Sequence, residues 1–188
     1  MLTFALLTLT VYPEMQDKLR AHILDVTKGK EVTYDQLFEL DYLESFLNET
    51  LRMYPPVPRV DRKCCKPYVM PGTDIRINVG DVMVLPVSGL HMDPDIFPEP
   101  HTFKADRFMK NGKLDKMPHA FQAFGSGPRA CIGRRFSMIV SKSAMVSLLT
   151  NFKFTMCPKT IYPFQISKRE VLLQIEKGTW ARVDKIKK

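Results

Sequence analysis

The sequence predicts an α+β fold, mainly helical, with small antiparallel sheets. Three observations carry that expectation. Apolar residues recur at helical spacing as far as Met53, and Ile75, Ile77 and Val79 alternate with Asp74, Arg76 and Asn78. A last amphipathic run, from about Ile132 to Thr150, follows a long stretch broken by prolines.

Taken in order, Leu2, Phe4, Ala5, Leu6, Leu7 and Leu9 form an apolar opening that ends at Pro13. It is shorter than the ~20 apolar residues a bilayer span needs and lacks the basic start of a signal peptide. It reads as the back half of a buried helix whose front half is missing. Pro13 opens a second helix, with Met15, Leu19, Ile23 and Val26 on one face and a stop near Gly29. Thr33 and Gln36 form a capping box for a short helix through Phe38. Asp41 and Glu44 repeat that arrangement ahead of a helix over Tyr42 to Met53. Its stripe is Leu43, Phe46, Leu47 and Leu51, and Pro55-Pro56 ends it. Gly80-Asp81 turns the alternating strand into a second one, Val82 to Val87. From His91 to Gly133 the chain is loop-dominated, with Pro94, Pro98, Pro100, Pro118 and Pro128 blocking long helices. A loop that long in a compact domain is uncommon unless it is functional. Phe152 to Val183 alternates like short strands.

Composition narrows the class. The chain has 188 residues, 45% apolar and 26% charged, with no internal repeat, which excludes a disordered tail, a collagen-like repeat and a coiled coil. Four cysteines do not make a disulfide scaffold, and Cys64-Cys65 are adjacent, where pairing is strained. A reducing compartment follows. The net charge is +8, and nearly all of it lies in residues 104–142, where nine basic side chains face two acidic ones. Such a segment attracts an acidic protein, anionic lipid or nucleic acid, or is a solvated surface.

The chemistry concentrates in Phe124-Gly125-Ser126-Gly127-Pro128-Arg129-Ala130-Cys131-Ile132-Gly133. Three glycines and a proline force an irregular backbone that can approach a ligand closely. Cys131 stands where the following helix begins, beside Arg129, Arg134 and Arg135, and both features favour thiolate over thiol. Such a thiolate is a nucleophile or a metal ligand. No CxxC, HExxH or neighbouring His base points to zinc or to a Cys–His hydrolase. A lone loop cysteine is ordinarily a space filler; the residues around this one argue otherwise.

The pattern Phe124, Gly127, Arg129, Cys131, Gly133 resembles the haem-binding loop of cytochrome P-450 monooxygenases, whose cysteine thiolate is the axial ligand of haem iron. Glu49 and Arg52 resemble the family's E-x-x-R; by spacing alone they are an ordinary surface pair on the side away from the apolar stripe. Phe103 to Phe108 resembles F-x-P-E-R-F with Ala105-Asp106 in place of Pro-Glu. The resemblance implies a buried triad of Glu49, Arg52 and Arg107. The closest branch is the eukaryotic microsomal one, with drug-metabolising family-three enzymes and thromboxane synthase.

The resemblance therefore implies the C-terminal portion of the mainly helical cytochrome P-450 fold over residues 1–188. It would run from the end of the I helix through the haem loop and L helix to a C-terminal hairpin, without the N-terminal half and membrane anchor. It implies haem b on Cys131, with Arg62 and Arg129 at its propionates, Phe124 near the sulfur, and Gly127 and Gly133 in the loop. The alternative readings, which rank below these, are solvated arginines for Arg62 and Arg129 and an ordinary core residue for Phe124. Val57 to Val60, with Arg59 between them, and Lys168 to Leu172, including Val171, match substrate-contacting segments. The implied partners are a lipophilic substrate and NADPH-cytochrome reductase, or cytochrome b5, at the basic face, with no nucleic acid, in the endoplasmic reticulum membrane for the full-length family. No dinucleotide-binding glycine motif follows a strand, so electrons must come from a separate protein. A thromboxane-synthase-like isomerase and a non-catalytic basic binding remnant are the alternatives. The isolated stretch is expected not to be a competent monooxygenase, with the helix at residues 2–9 left nothing to pack on.

Overall fold

The computed structural model of the chain describes residues 1–167 and 170–186. Four helices surround one apolar core: α1 (Leu2–Val11), α2 (Pro13–Thr27), α4 (Asp41–Met53) and α6 (Arg134–Asn151), with the short α3 (Gln36–Glu39) beside them. Leu9, Leu19, Ile23, Leu43, Phe46, Leu47, Met145 and Leu149 are fully buried at its centre.

The apolar opening does find partners, contrary to expectation. Helix α1 buries Phe4, Ala5, Leu7 and Leu9, and Phe4 stacks on Tyr54 with ring centroids 4.5 Å apart. The helix lies among α2, α4 and the final sheet, so its apolar residues are covered within this chain.

Helix α2 starts on Pro13, whose missing N–H costs nothing at a first-turn position. It ends at Lys28 and Gly29, both left-handed. Gln16 on this helix is fully buried. Its amide donates to the Leu9 and Phe154 carbonyls at 3.1 and 2.8 Å and accepts the Phe154 N–H at 2.9 Å. One side chain thereby joins α1 and the C-terminal sheet.

The Thr33–Gln36 capping box is present in both directions: Gln36 N–H to Thr33 Oγ1 at 3.3 Å, and Thr33 N–H to Gln36 Oε1 at 3.0 Å. The Asp41–Glu44 box is not formed. Helix α4 begins at Asp41 without a side-chain cap, and Glu44 instead meets the buried ammonium of Lys142 at 2.5 Å. A buried lysine ammonium needs a counter-charge, and Glu44 supplies it in place of a cap.

The middle of the chain is a nest of two hairpins. β1 (Val60–Lys63) pairs antiparallel with β4 (Val82–Leu85), matching Arg62 with Met83. Inside them, β2 (Tyr68–Val69) pairs with β3 (Arg76–Ile77). The consecutive strands β3 and β4 are thus not paired with each other; Gly80, at φ +98, turns the chain so that β4 meets β1. Val87, expected to close a strand, opens helix α5 (Val87–His91) instead. The Pro-rich stretch holds one small hairpin, β5 (Met109–Lys110) with β6 (Lys113–Leu114), around Asn111-Gly112 at φ +51 and +76. Helix α6 runs into β7 (Phe152–Thr155), which pairs with β8 (Arg182–Lys185).

Candidate functional site

Helix α4 presents a charged cluster to the protein interior. Glu49 and Arg52 are both fully buried, so the surface-pair reading of their spacing is wrong. Arg52 donates from Nε and Nη2 to the two Glu49 carboxylate oxygens at 2.8 and 2.9 Å. Its remaining N–H groups donate to the carbonyls of His91 and Pro100, each at 2.8 Å. The loop after α5 covers the open side. Arg107 Nε lies 2.9 and 3.0 Å from the Glu49 oxygens, and the Lys104 N–H reaches Glu49 Oε1 at 3.1 Å. Arg107 also holds the carbonyls of Pro98, Glu99 and Thr102 at 2.7–3.1 Å. Two guanidiniums around one carboxylate leave one unbalanced positive charge, which these backbone dipoles offset. Ala105-Asp106 accommodates the arrangement: Ala105 is buried and Asp106 is exposed.

Sequence reasoning missed His91, which stands in no motif. It is fully buried, stacked on Phe121 at 5.2 Å, with Phe97 at its edge. Its Nδ1 lies 3.0 Å from the Arg52 carbonyl, and its Nε2 accepts the Gln122 N–H at 2.9 Å. Burial pushes its pKa down to about 4, with the Arg52 charge adding to the effect.

From Gln122 the chain enters the cysteine loop. Gly125 and Gly127 stand at φ +69 and +70, and Gly127-Pro128-Arg129 forms a 3₁₀ turn. The loop closes through the Cys131 N–H, which donates to the Phe124 carbonyl at 2.8 Å. Helix α6 begins at Arg134, later than the expected start near Ile132, so Cys131 stands in the turn ahead of the helix. Its side chain is exposed, and a Cβ added at Gly133 would stand 3.8 Å from its sulfur. Beside it, Ile132 is fully exposed, Phe136 is 73% exposed and Val140 45% exposed. Phe136 and Val140, four residues apart, lie on one exposed face of helix α6, and Ile132 is exposed in the turn that precedes it. Phe124 is half-buried at the root of the loop, with the Arg134 guanidinium 5.9 Å from its ring centre.

The basic segment is not one continuous face. Arg107 is spent in the buried cluster, Lys142 is buried on the Leu37 carbonyl and Glu44, and Lys104 pairs with Glu99. Lys110, Lys113, Lys116, Arg129, Arg134 and Arg135 remain exposed. Arg62 is also exposed, on β1, where its guanidinium donates to the Asp61 carbonyl at 2.8 Å. Val57 and Arg59 are exposed, and Val60 is half-buried at the start of β1. The Leu173 N–H donates to the Pro56 carbonyl at 3.0 Å, bringing the segment of the 88%-exposed Val171 beside that of Val57. Lys168 and Arg169 lie outside the described residues. Among the described residues no group of three or more His, Cys, Asp or Glu side chains is arranged to hold a metal, and no helix is long and apolar enough to cross a membrane.

A cysteine loop held against a buried Glu–Arg–Arg cluster is a combination that comparison with known proteins can decide. The sequence model of the Cytochrome P450 family matches residues 1–182. The chain belongs to the cytochrome P450 family. It is 37% identical over 188 residues to probable cytochrome P450 6a14 of Drosophila melanogaster, covering 98% of this chain and 37% of that protein. Cytochrome P450 6k1 of Blattella germanica is 36% identical over 179 residues, 34% of its length. Cytochrome P450 3A31 of Mesocricetus auratus is 39% identical over 177 residues, 35% of its length. The chain thus spans little more than a third of the length of these cytochrome P450 relatives. Membership implies, at the level of the family, a haem-thiolate cofactor and monooxygenase chemistry.

Proposed function

We propose that this chain carries the haem-holding face of a haem-thiolate monooxygenase, in which Cys131 Sγ would hold the iron of haem b. One observation supports this above the others: an exposed thiol is followed by the exposed apolar side chains of Ile132, in the next turn, and of Phe136 and Val140, on helix α6. A flat apolar macrocycle with a metal at its centre suits both features at once, which water does not. The donor set fits as well. Thiolate is a ligand of iron, and Arg62 and Arg129 are exposed cations suited to paired carboxylates.

In this reading the Cys131 sulfur would supply electron density to the bound iron, and Phe124, at the root of the loop, would tune that donation. The glycines keep side chains off the loop: Gly127 has nothing within 4 Å of where a Cβ would be. Arg62 and Arg129 orient the propionates. Haem, when bound, supplies the oxygen chemistry that inserts one oxygen atom into a lipophilic substrate. Val57, Arg59, Val60 and Val171 contact that substrate, which agrees with the Leu173–Pro56 bond that sets their two segments side by side. The exposed cations Lys110, Lys113, Lys116, Arg134 and Arg135 receive the acidic face of an electron donor, NADPH-cytochrome reductase or cytochrome b5. The likeness to microsomal relatives supports the endoplasmic reticulum membrane as the site of the full-length family.

Hemin titration of the chain tests the reading. One hemin is expected per chain, with a spectrum that changes character in Cys131→Ser. Removing either guanidinium, by Arg62→Ala or Arg129→Ala, is expected to weaken binding about tenfold, as the loss of one charge-assisted bond would. Uptake with the same spectrum in Cys131→Ser overturns it.

A further inference from the structure

We infer that His91 is a positioning residue, whose imidazole fixes the Gln122 peptide against the buried Glu49–Arg52 helix and so sets where the Cys131 loop begins. The inference rests on Cys131 being the ligand, as proposed above. What it adds is a route from the charge cluster to that loop.

The protonation state of the ring follows from its partners alone. A backbone N–H can only donate, so Nε2, 2.9 Å from the Gln122 nitrogen, must be the acceptor. A backbone carbonyl can only accept, so Nδ1, 3.0 Å from the Arg52 oxygen, must carry the proton. A second proton on the ring would point at the Gln122 N–H and bury a cation 5.2 Å from the Phe121 ring and near the Arg52 guanidinium. Burial excludes it.

Arg52 and His91 bind each other twice. The guanidinium donates to the His91 carbonyl, and the His91 ring donates back to the Arg52 carbonyl. This doubled link fixes the ring relative to helix α4. The free Nε2 then takes the first backbone group of the loop. From there the bonds are local: Gly125 N–H to the Gln122 carbonyl at 3.0 Å, and Cys131 N–H to the Phe124 carbonyl at 2.8 Å. Phe121 stacks on the ring and Phe97 packs at its edge, so the imidazole has no room to rotate. A network of fully satisfied buried polar groups holds a single geometry, whereas one missing member frees its neighbours.

Two substitutions separate the two ring nitrogens. In His91→Asn the side-chain amide stands where Nδ1 was and keeps the Arg52 bond, while Gln122 loses its acceptor. In His91→Gln the amide oxygen stands where Nε2 was and keeps Gln122, while Arg52 loses its donor. Amide hydrogen exchange on the full chain is expected to show Gln122, Gly125 and Cys131 at least about fivefold faster in His91→Asn, the factor expected from one lost hydrogen bond. Protection in α2 and α6 should stay as in the wild type, and His91→Gln should restore Gln122. Hemin bound to His91→Asn should show a smaller thiolate-ligated fraction, partly recovered in His91→Gln. Equal exchange of the loop amides in wild type and His91→Asn overturns the inference. If both variants fail to fold, ring ¹⁵N shifts of the wild type decide: a neutral Nδ1–H tautomer at pH 6 supports it, and an Nε2–H tautomer or an imidazolium overturns it. A wild type that takes no hemin yet shows the expected exchange pattern contradicts the haem reading and supports the positioning role.

Discussion

Arg107 Nε sits 2.9 Å and 3.0 Å from the two carboxylate oxygens of Glu49, a residue 58 positions earlier in the chain. That contact seals the loop of residues 98–107 over helix α4 and turns an i, i+3 helix pair into a buried cluster. Removing Arg107 leaves its charge partner in place but breaks the seal and frees three carbonyls. Glu49 stays paired with Arg52, so the cost comes from the unsatisfied carbonyls: Arg107→Ala is expected to lose at least ~2 kcal/mol in a urea unfolding series. Arg182→Ala, which breaks the exposed Arg182–Asp184 pair, is expected to cost less than ~1 kcal/mol in the same series. Equal costs would mean that the cluster is not closed.

His91 makes stability depend on pH in a defined window. Its folded pKa of about 4 lies below the ordinary value of 6.5, so the unfolded chain binds the proton more readily. Stability from this group is complete above pH 6.5 and is lost as pH falls through the window to about 4. Glu49 and Arg52 face the same ring from helix α4, and Glu49 works against the depression. Melting temperatures from pH 7 to pH 4 should fall more steeply for the wild type than for His91→Gln. Parallel curves would show that the ring does not titrate with unfolding.

Gln16 is the only described side chain that bonds the backbones of both α1 and β7. Gln16→Leu keeps the volume but leaves two carbonyls and one N–H unpaired in the interior. A loss of at least ~2 kcal/mol is expected in chemical denaturation, from unsatisfied buried groups. A neutral result would mean that water reaches these atoms.

Two glycines give opposite expectations for the same change. Gly127 stands at φ +70 with nothing near its missing Cβ, so Gly127→Ala is strained but not crowded. It is expected to lose about 1 kcal/mol. Gly89, inside helix α5, would place a Cβ at 3.5 Å from Pro86, an ordinary contact. Gly89→Ala is expected to be neutral or to gain about 0.5 kcal/mol, because it restricts the unfolded chain. Thermal melts of the two variants check both.

Local chemistry was readable in the sequence wherever it decided the structure. Pro13 starts α2, Lys28-Gly29 ends it, and Thr33 and Gln36 cap each other, because each of these effects acts within one turn. The misreadings share one cause, a distant partner. Glu44 fits a capping box until Lys142 claims it from 98 residues away. Glu49 and Arg52 look like a surface pair until the loop carrying Arg107 folds over them. Val87 continues an apolar run, yet the chain bends into α5 after Pro86, with the Ser88 N–H on the Pro58 carbonyl. His91 carries no local signal, since its meaning lies in Arg52 and Gln122. The cysteine loop was legible through its resemblance to a family motif, and residue spacing alone would have left it an unexplained thiol beside arginines.

The central claim is that the Cys131 sulfur ligates haem iron. The most direct measurement is the reduced carbon-monoxide difference spectrum of the hemin-loaded chain beside its Cys131→Ser variant. Thiolate ligation predicts a red-shifted Soret band in the wild type and its absence in the variant. The same band in both proteins, or in neither with hemin bound to both, would contradict it.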